Sequence, residues 1–151
     1  MATTFVADVM VGKLARWLRM LGYDVLYSNR FEDDETLRIA EAEDRSILTR
    51  DVELHKRGGA RSLLIADDDY EDQVRQVIST FGLRQFNPFS RCAECNASLI
   101  ETDKESVFLK IPPYVYLTQE HFALCPACDR VYWRGTHAER ILAKLRGWIK
   151  P

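Results

Sequence analysis

The chain carries four cysteines, arranged as two matched pairs, Cys92-x-x-Cys95 and Cys125-x-x-Cys128. A Cys-x-x-Cys turn presents two thiolates from one tight knuckle, and two knuckles can close a tetrahedral shell around a single zinc ion. Such a shell leaves no open coordination position, so the ion it holds is structural rather than catalytic. The segment that joins the pairs must therefore leave one knuckle and return to the other. A segment this short cannot bury enough core to stand alone, and bound zinc contributes on the order of 10 kcal/mol in comparable modules. The residue after the second cysteine of each knuckle needs a positive φ. Asn96 and Asp129 occupy those places, and both residue types tolerate that region. A redox dithiol would account for a lone Cys-Pro-Ala-Cys, but two matched pairs favour metal. Four thiolates also suit iron.

Ahead of the cysteines, strand and helix signals alternate. Phe5-Val6-Ala7 is a short apolar run that ends at Asp8. Leu14, Trp17, Leu18 and Leu21 follow helical spacing, with Gly22 as the stop. Val25 to Tyr27 reads as a second strand, and a second helix opens near Asp33 or Asp34 and runs to about Asp44. Ser46 to Thr49 is a third strand that delivers Asp51 just past its end. A short helix stopping at Gly58-Gly59 precedes a fourth strand, Ser62 to Ile65, which runs into Asp67-Asp68-Asp69. Tyr70 to Phe81 closes the series as a helix with Gly82 behind it. This order predicts an α/β fold with a parallel sheet flanked by helices. Residues 1–87 form this unit. The pattern weakens from Leu83 to Ser90, where Leu83–Phe86 could add a last short strand. Residues 88–151 then form a small β-rich zinc module with a C-terminal helix. Its strand candidates include Val107-Phe108-Leu109, Tyr114-Val115-Tyr116 and Val131-Tyr132-Trp133. Ile141, Leu142, Leu145 and Trp148 mark the helix.

Right-handed crossovers align the carboxyl ends of parallel strands along one edge, where open α/β sheets bind ligands. Asp8, Asp51 and Asp67 all lie at or beyond strand ends, and Asp33 and Asp34 open a helix near the same edge. Clustered carboxylates are hard oxygen donors suited to Mg²⁺ or Mn²⁺, and such ions activate water against phosphodiesters. Asp8 and Asp51 are the principal candidate ligands, with Asp33 or Asp34 completing the site. Asp33 and Asp34 are equally suited to capping their helix, and one of Asp67, Asp68 and Asp69 could be a fourth ligand or a turn. Lys13 and Arg16 fall in the first turns of the helix after Asp8, where they could hold phosphate or form a solvated face. The tail adds Arg140, Lys144, Arg146 and Lys150. Tyr132, Trp133 and Arg134 could stack on bases or fill the small module's core. His55, His121 and His137 lack ligand-like spacing.

Net charge is −2, so no global basic field advertises nucleic acid. The N-terminus Met1-Ala2-Thr3-Thr4 carries no leader-like basic and apolar stretch, and no apolar run is long enough to span a bilayer. A cytoplasmic location is expected, where paired cysteines bind metal more often than they form disulfides.

Asp8 with Gly12-Lys13-Leu14-Ala15-Arg16-Trp17-Leu18-Arg19, then Leu48-Thr49-Arg50-Asp51, resembles the PIN-like ribonucleases. More narrowly, the chain is similar to the Mut-seven C-terminal RNase domain, a compact PIN-like domain followed by a zinc ribbon. Ser90-Arg91-Cys92, Pro112-Pro113-Tyr114-Val115-Tyr116 and Val131-Tyr132-Trp133-Arg134-Gly135 resemble that ribbon. The resemblance implies metal-dependent cleavage of RNA at clustered acids, which fall here on Asp8, Asp33 or Asp34, and Asp51. The alternative is a non-catalytic RNA- or ribosome-binding module of the same fold, or an adaptor that uses the ribbon surface.

Overall fold

The computed structural model describes residues 3–149. Met1 and Ala2, and Lys150 of the basic tail, lie outside the described residues. Four parallel strands form the first sheet: β1 (Phe5–Ala7), β2 (Val25–Tyr27), β3 (Ser46–Thr49) and β4 (Ser62–Leu64). Their order is β2-β1-β3-β4. The connecting helices are α1 (Gly12–Leu21), α2 (Asp33–Ala42) and α3 (Val52–Gly58), and α4 (Tyr70–Phe81) follows β4. The chain steps one way from β1 to β2 and the other way from β2 to β3. The sheet's switch point therefore lies between β1 and β3, where their carboxyl ends leave a crevice.

The strands are covered on both faces, which is why they read as short, continuous apolar runs. Phe5, Ala7 and Leu48 pack with Leu14, Leu18, Val74 and Val77 of α1 and α4. Val6 and Ile47 turn to the opposite face and meet Ala40 of α2 and Leu54 of α3. Helix α1 ends at Gly22, whose φ of 107° lets its N–H reach the carbonyls of Leu18 and Arg19. A Cβ there would also lie 2.5 Å from the Asn87 carbonyl oxygen, so the position combines a left-handed turn with a close backbone approach.

The segment expected as a possible last strand, Leu83 to Phe86, is not one. It runs irregularly across the end of α1, with Asn87 N–H bonded to the Leu21 carbonyl and Phe89 N–H to that of Met20. Beyond it lies the antiparallel sheet β5 (Ile100–Thr102), β6 (Phe122–Leu124) and β7 (Val131–Trp133), ordered β5-β6-β7. Two of the expected ribbon strands are helical instead. Residues Glu105–Lys110 form a 3-10 turn, and Pro113–Thr118 form α5. Asp103 starts the first by accepting from the backbone and hydroxyl of Ser106, and Pro113 fits the first turn of the second. Val107 of the 3-10 turn, Ile111 of the extended link and Val115 of α5 are buried together, while Leu109 is 92% exposed.

Helix α6 (Thr136–Trp148) returns to the parallel-sheet body. Leu145, Trp148 and Ile149 join the core of β1, α1 and α4, and Trp148 meets the rings of Trp17 and Tyr70 edge-on. No helix among the described residues is long and apolar enough to cross a membrane.

Candidate active site and metal centre

The acidic edge begins with Asp8, which follows β1 and is 5% exposed. Its backbone N–H continues the ladder to the Leu48 carbonyl, fixing it beside β3. Thr49, the last residue of β3, is fully buried and donates its hydroxyl to Asp8 Oδ2 at 2.7 Å. The same Thr49 oxygen accepts the backbone N–H of Asp51 at 2.9 Å. One hydroxyl thus ties the Asp8 carboxylate to the backbone of Asp51. Asp51 is the N-cap of α3, its Oδ1 accepting from Leu54 N–H at 3.0 Å. Among the described residues no donor reaches Oδ1 of Asp8 or Oδ2 of Asp51.

Asp33 and Asp34 lie in the first turn of α2, behind Glu32 as N-cap, and neither caps the helix by a side-chain bond. Both carboxylates suit the positive end of the helix dipole. They diverge from there. Asp34 pairs with Arg57 of α3 and is largely exposed. Asp33 feels the Asp51 and Asp8 carboxylates. Partial burial first, and then those two negative charges, raise its pKa above the ordinary aspartate value, with Arg57 opposing. Asp33 is therefore near enough to Asp8 and Asp51 for their charges to act on it. Their oxygens are not closed down around one point. Among the described residues, only the cysteine group brings three or more such donors within 4.8 Å of one another.

The remaining acids stand apart. Asp69 caps α4 by accepting from Asp72 N–H at 3.2 Å, and the Asp67 carbonyl accepts from the Gln73 amide. Lys13 lies 4.2 Å over the Tyr70 ring, beside Asp68 and Asp69 in a cavity of about 290 Å³. Arg16 turns to Glu94 in the first cysteine knuckle. The structure therefore separates these two cations. Of the tail residues, Lys144 bonds to Glu71 and to the Tyr70 hydroxyl.

The four cysteines converge. All four Sγ atoms lie within 4.8 Å of one another, with 3.6 Å from Cys92 to Cys128 and 3.3 Å from Cys95 to Cys125. These are non-bonded separations, far beyond the ~2.05 Å of a disulfide. Asn96 and Asp129 close the knuckles with φ of 76° and 66°, as the sequence requires. The Tyr132 hydroxyl lies 2.9 Å from Cys92 Sγ, so its place is at the thiolates rather than on a base. Trp133 packs on the small core. Burial opposes ionisation of Cys125, yet the Cys128 backbone and the Cys95 thiol bring it down to about 7. Cys95 is pushed up to about 12, by burial first. Without a cation the group cannot carry four negative charges at once. A divalent ion supplies that compensation, so the residues fit zinc.

Over residues 3–145 the chain matches the family model described as Mut7-C RNAse domain. The chain belongs to the Mut7-C RNAse domain family. No curated protein matches it. The family is one of ribonuclease domains, and the four cysteines could hold zinc.

Three contacts lay outside the sequence reading. Thr49 positions Asp8, Tyr132 bonds to a thiol, and Asn96 docks the knuckle. The Asn96 side chain accepts from Val25 N–H and donates to Asp24, both at the start of β2. Buried Arg19 joins the same contact, donating to the Val25 and Ala93 carbonyls.

Proposed function

We propose that this chain is a divalent-metal-dependent ribonuclease that hydrolyses RNA phosphodiester bonds at Asp8, Asp33 and Asp51. The observation that carries this reading is that one buried Thr49 hydroxyl ties Asp8 to the backbone of Asp51 at the switch point of the sheet, with Asp33 near enough for both carboxylates to act on it. An uncompensated acidic cluster is a poor stability device and a good cation trap. A bound Mg²⁺ or Mn²⁺ supplies an activated water and neutralises phosphate charge.

The protein's part is to hold oxygens in place. Asp8 is fixed by Thr49 and offers Oδ1. Asp51 is fixed by its own helix and offers Oδ2. Asp33, free of a capping bond, completes the set or orients water, while Asp34 stays with Arg57. Lys13, at the head of α1 and beside the edge, attracts phosphate. Arg16 is held by Glu94 and steadies the ribbon against α1. The cysteine group takes zinc structurally, and the ribbon adds surface for RNA.

The test is cleavage of labelled single-stranded RNA by zinc-loaded protein. Turnover should depend on added Mn²⁺ or Mg²⁺ and fall at least about 100-fold in the Asp8→Asn, Asp51→Asn double variant. Undiminished cleavage by that variant overturns the assignment. Salt-sensitive RNA binding without turnover would instead favour the non-catalytic module.

A further inference from the structure

Two stretches of this chain hold cations and no carboxylate. Residues 73–93 carry Arg75, Arg84 and Arg91, and residues 140–149 carry Arg140, Lys144 and Arg146, in a chain whose net charge is −2. Folding brings the two stretches together. The link after α4 and the end of α6 meet at a cleft of about 360 Å³ lined by Arg84, Phe86, Arg146 and Ile149. Other cations of these stretches reach acids elsewhere. Arg75 pairs with Glu71 and Asp72, Arg91 lies 4.0 Å from Asp24, and Lys144 bonds to Glu71. Arg84 and Arg146 are exposed, and among the described residues neither pairs with a carboxylate. The one acid of α6, Glu139, lies about two helical turns before Arg146. Like charges lining one cleft repel, and an anion between them relieves the repulsion. The cleft is also remote from the acidic edge. Helix α4 starts at its Asp69 cap beyond the strand ends, and the link begins where that helix stops at Gly82. Its 12 residues put about 18 Å of helix between the two.

We infer that this cleft is a second binding site for single-stranded RNA, in which a base lies against the Phe86 ring and the flanking phosphates meet Arg84 and Arg146. Phe86 is half-buried and packs on the main core, so its ring is anchored on one side and open on the other. An aromatic ring in a basic groove holds a strand without reading its sequence, because every base has a π face. A guanidinium fork matches phosphate oxygens better than an ammonium does. An acidic peptide would satisfy the two charges, but a nucleotide satisfies the charges and the ring together.

This inference rests on RNA as the ligand of the proposed function, and the experiment separates it from the nuclease reading. Binding of a labelled single-stranded RNA of about 16 nucleotides is measured against salt in zinc-loaded Asp8→Asn, Asp51→Asn protein, where turnover does not intervene. Adding Arg84→Gln with Arg146→Gln should flatten the slope of log Kd against log salt by about 1.4, the loss of two phosphate contacts. Affinity at about 0.1 M salt should fall roughly tenfold, with the melting temperature of the parent retained. Adding Phe86→Leu instead should weaken binding about tenfold and leave the slope unchanged. Unchanged slope and affinity in the folded arginine pair overturn the inference. So does a flattened slope with a neutral Phe86→Leu, which marks a diffuse basic surface. If Phe86→Leu does not fold, inorganic polyphosphate serves as competitor. Displacement of the RNA as effective as that by unlabelled RNA of equal charge overturns the inference, since polyphosphate has no base to stack. Wild-type protein that never cleaves RNA, while the arginine pair still sets the slope, removes the nuclease reading and leaves the cleft standing.

Discussion

At the residue scale the account turns on how one hydroxyl orders an acidic edge. Thr49 donates to Asp8 and accepts from Asp51, so its loss releases a carboxylate and orphans a backbone N–H together. Thr49→Val should lower metal-dependent cleavage roughly 10- to 100-fold, as expected for a partner that orients ligands. It should cost about 1–3 kcal/mol in urea unfolding, and Thr49→Ser should restore most of both. Asp33 gives a second handle. Its folded pKa is raised, by burial first and by Asp51 and Asp8 after it. A raised carboxyl stabilises the fold fully below its unfolded pKa, and that contribution is lost as pH rises through the folded value. At neutral pH the ionised Asp33 therefore strains the folded state, and a bound cation relieves the strain. The melting-temperature gain on adding Mn²⁺ should grow with pH through the upper carboxylate range and then level off. Asp33→Asn should melt higher than wild type without Mn²⁺ and show a smaller gain with it. A gain that falls as pH rises would contradict this assignment.

At the scale of elements, the fold was legible wherever a period spoke clearly. Leu14, Trp17, Leu18 and Leu21 specify α1, and the apolar triplets that end at aspartates specify β1 and β3. Asn96 tests how the first knuckle docks. It closes the turn at φ 76° and bonds to Val25 and Asp24. Asn96→Gly should keep the turn and lose the dock, while Asn96→Ala loses both and should cost about 1 kcal/mol more. Denaturant unfolding of the zinc-loaded variants reads the difference. The segment from Glu105 to Thr118 was not legible, because Val-Phe-Leu and Tyr-Val-Tyr are apolar runs too short to show a period. What decides them is the burial of Val107, Ile111 and Val115 against Phe122, a contact only the closed fold supplies. The choice between Asp33 and Asp34 was hidden for a similar reason. Neighbours on a helix point about 100° apart, and only Arg57 from α3 draws Asp34 aside.

At the scale of the whole molecule, the ribbon is joined to the parallel sheet at both its ends. The first knuckle docks on β2 through Asn96, and α6 re-enters the core through Leu145 and Trp148. Charge patterning reveals none of this, since the bonds are local to buried residues. Burial works against ionisation of Asp24, yet Arg45 and Asn96 hold its pKa below the ordinary value, so the dock stays charged at neutral pH. Trp148→Ala should cost about 3–5 kcal/mol in unfolding, the range for emptying an aromatic from a core. It should do so with four thiols still able to take zinc.

Manganese-soaked crystals, read by anomalous scattering, test the central claim. The account places a manganese peak among Asp8, Asp33 and Asp51, apart from the zinc peak at Cys92, Cys95, Cys125 and Cys128. Full zinc occupancy with no manganese at the strand ends, at a concentration that supports cleavage, would contradict it.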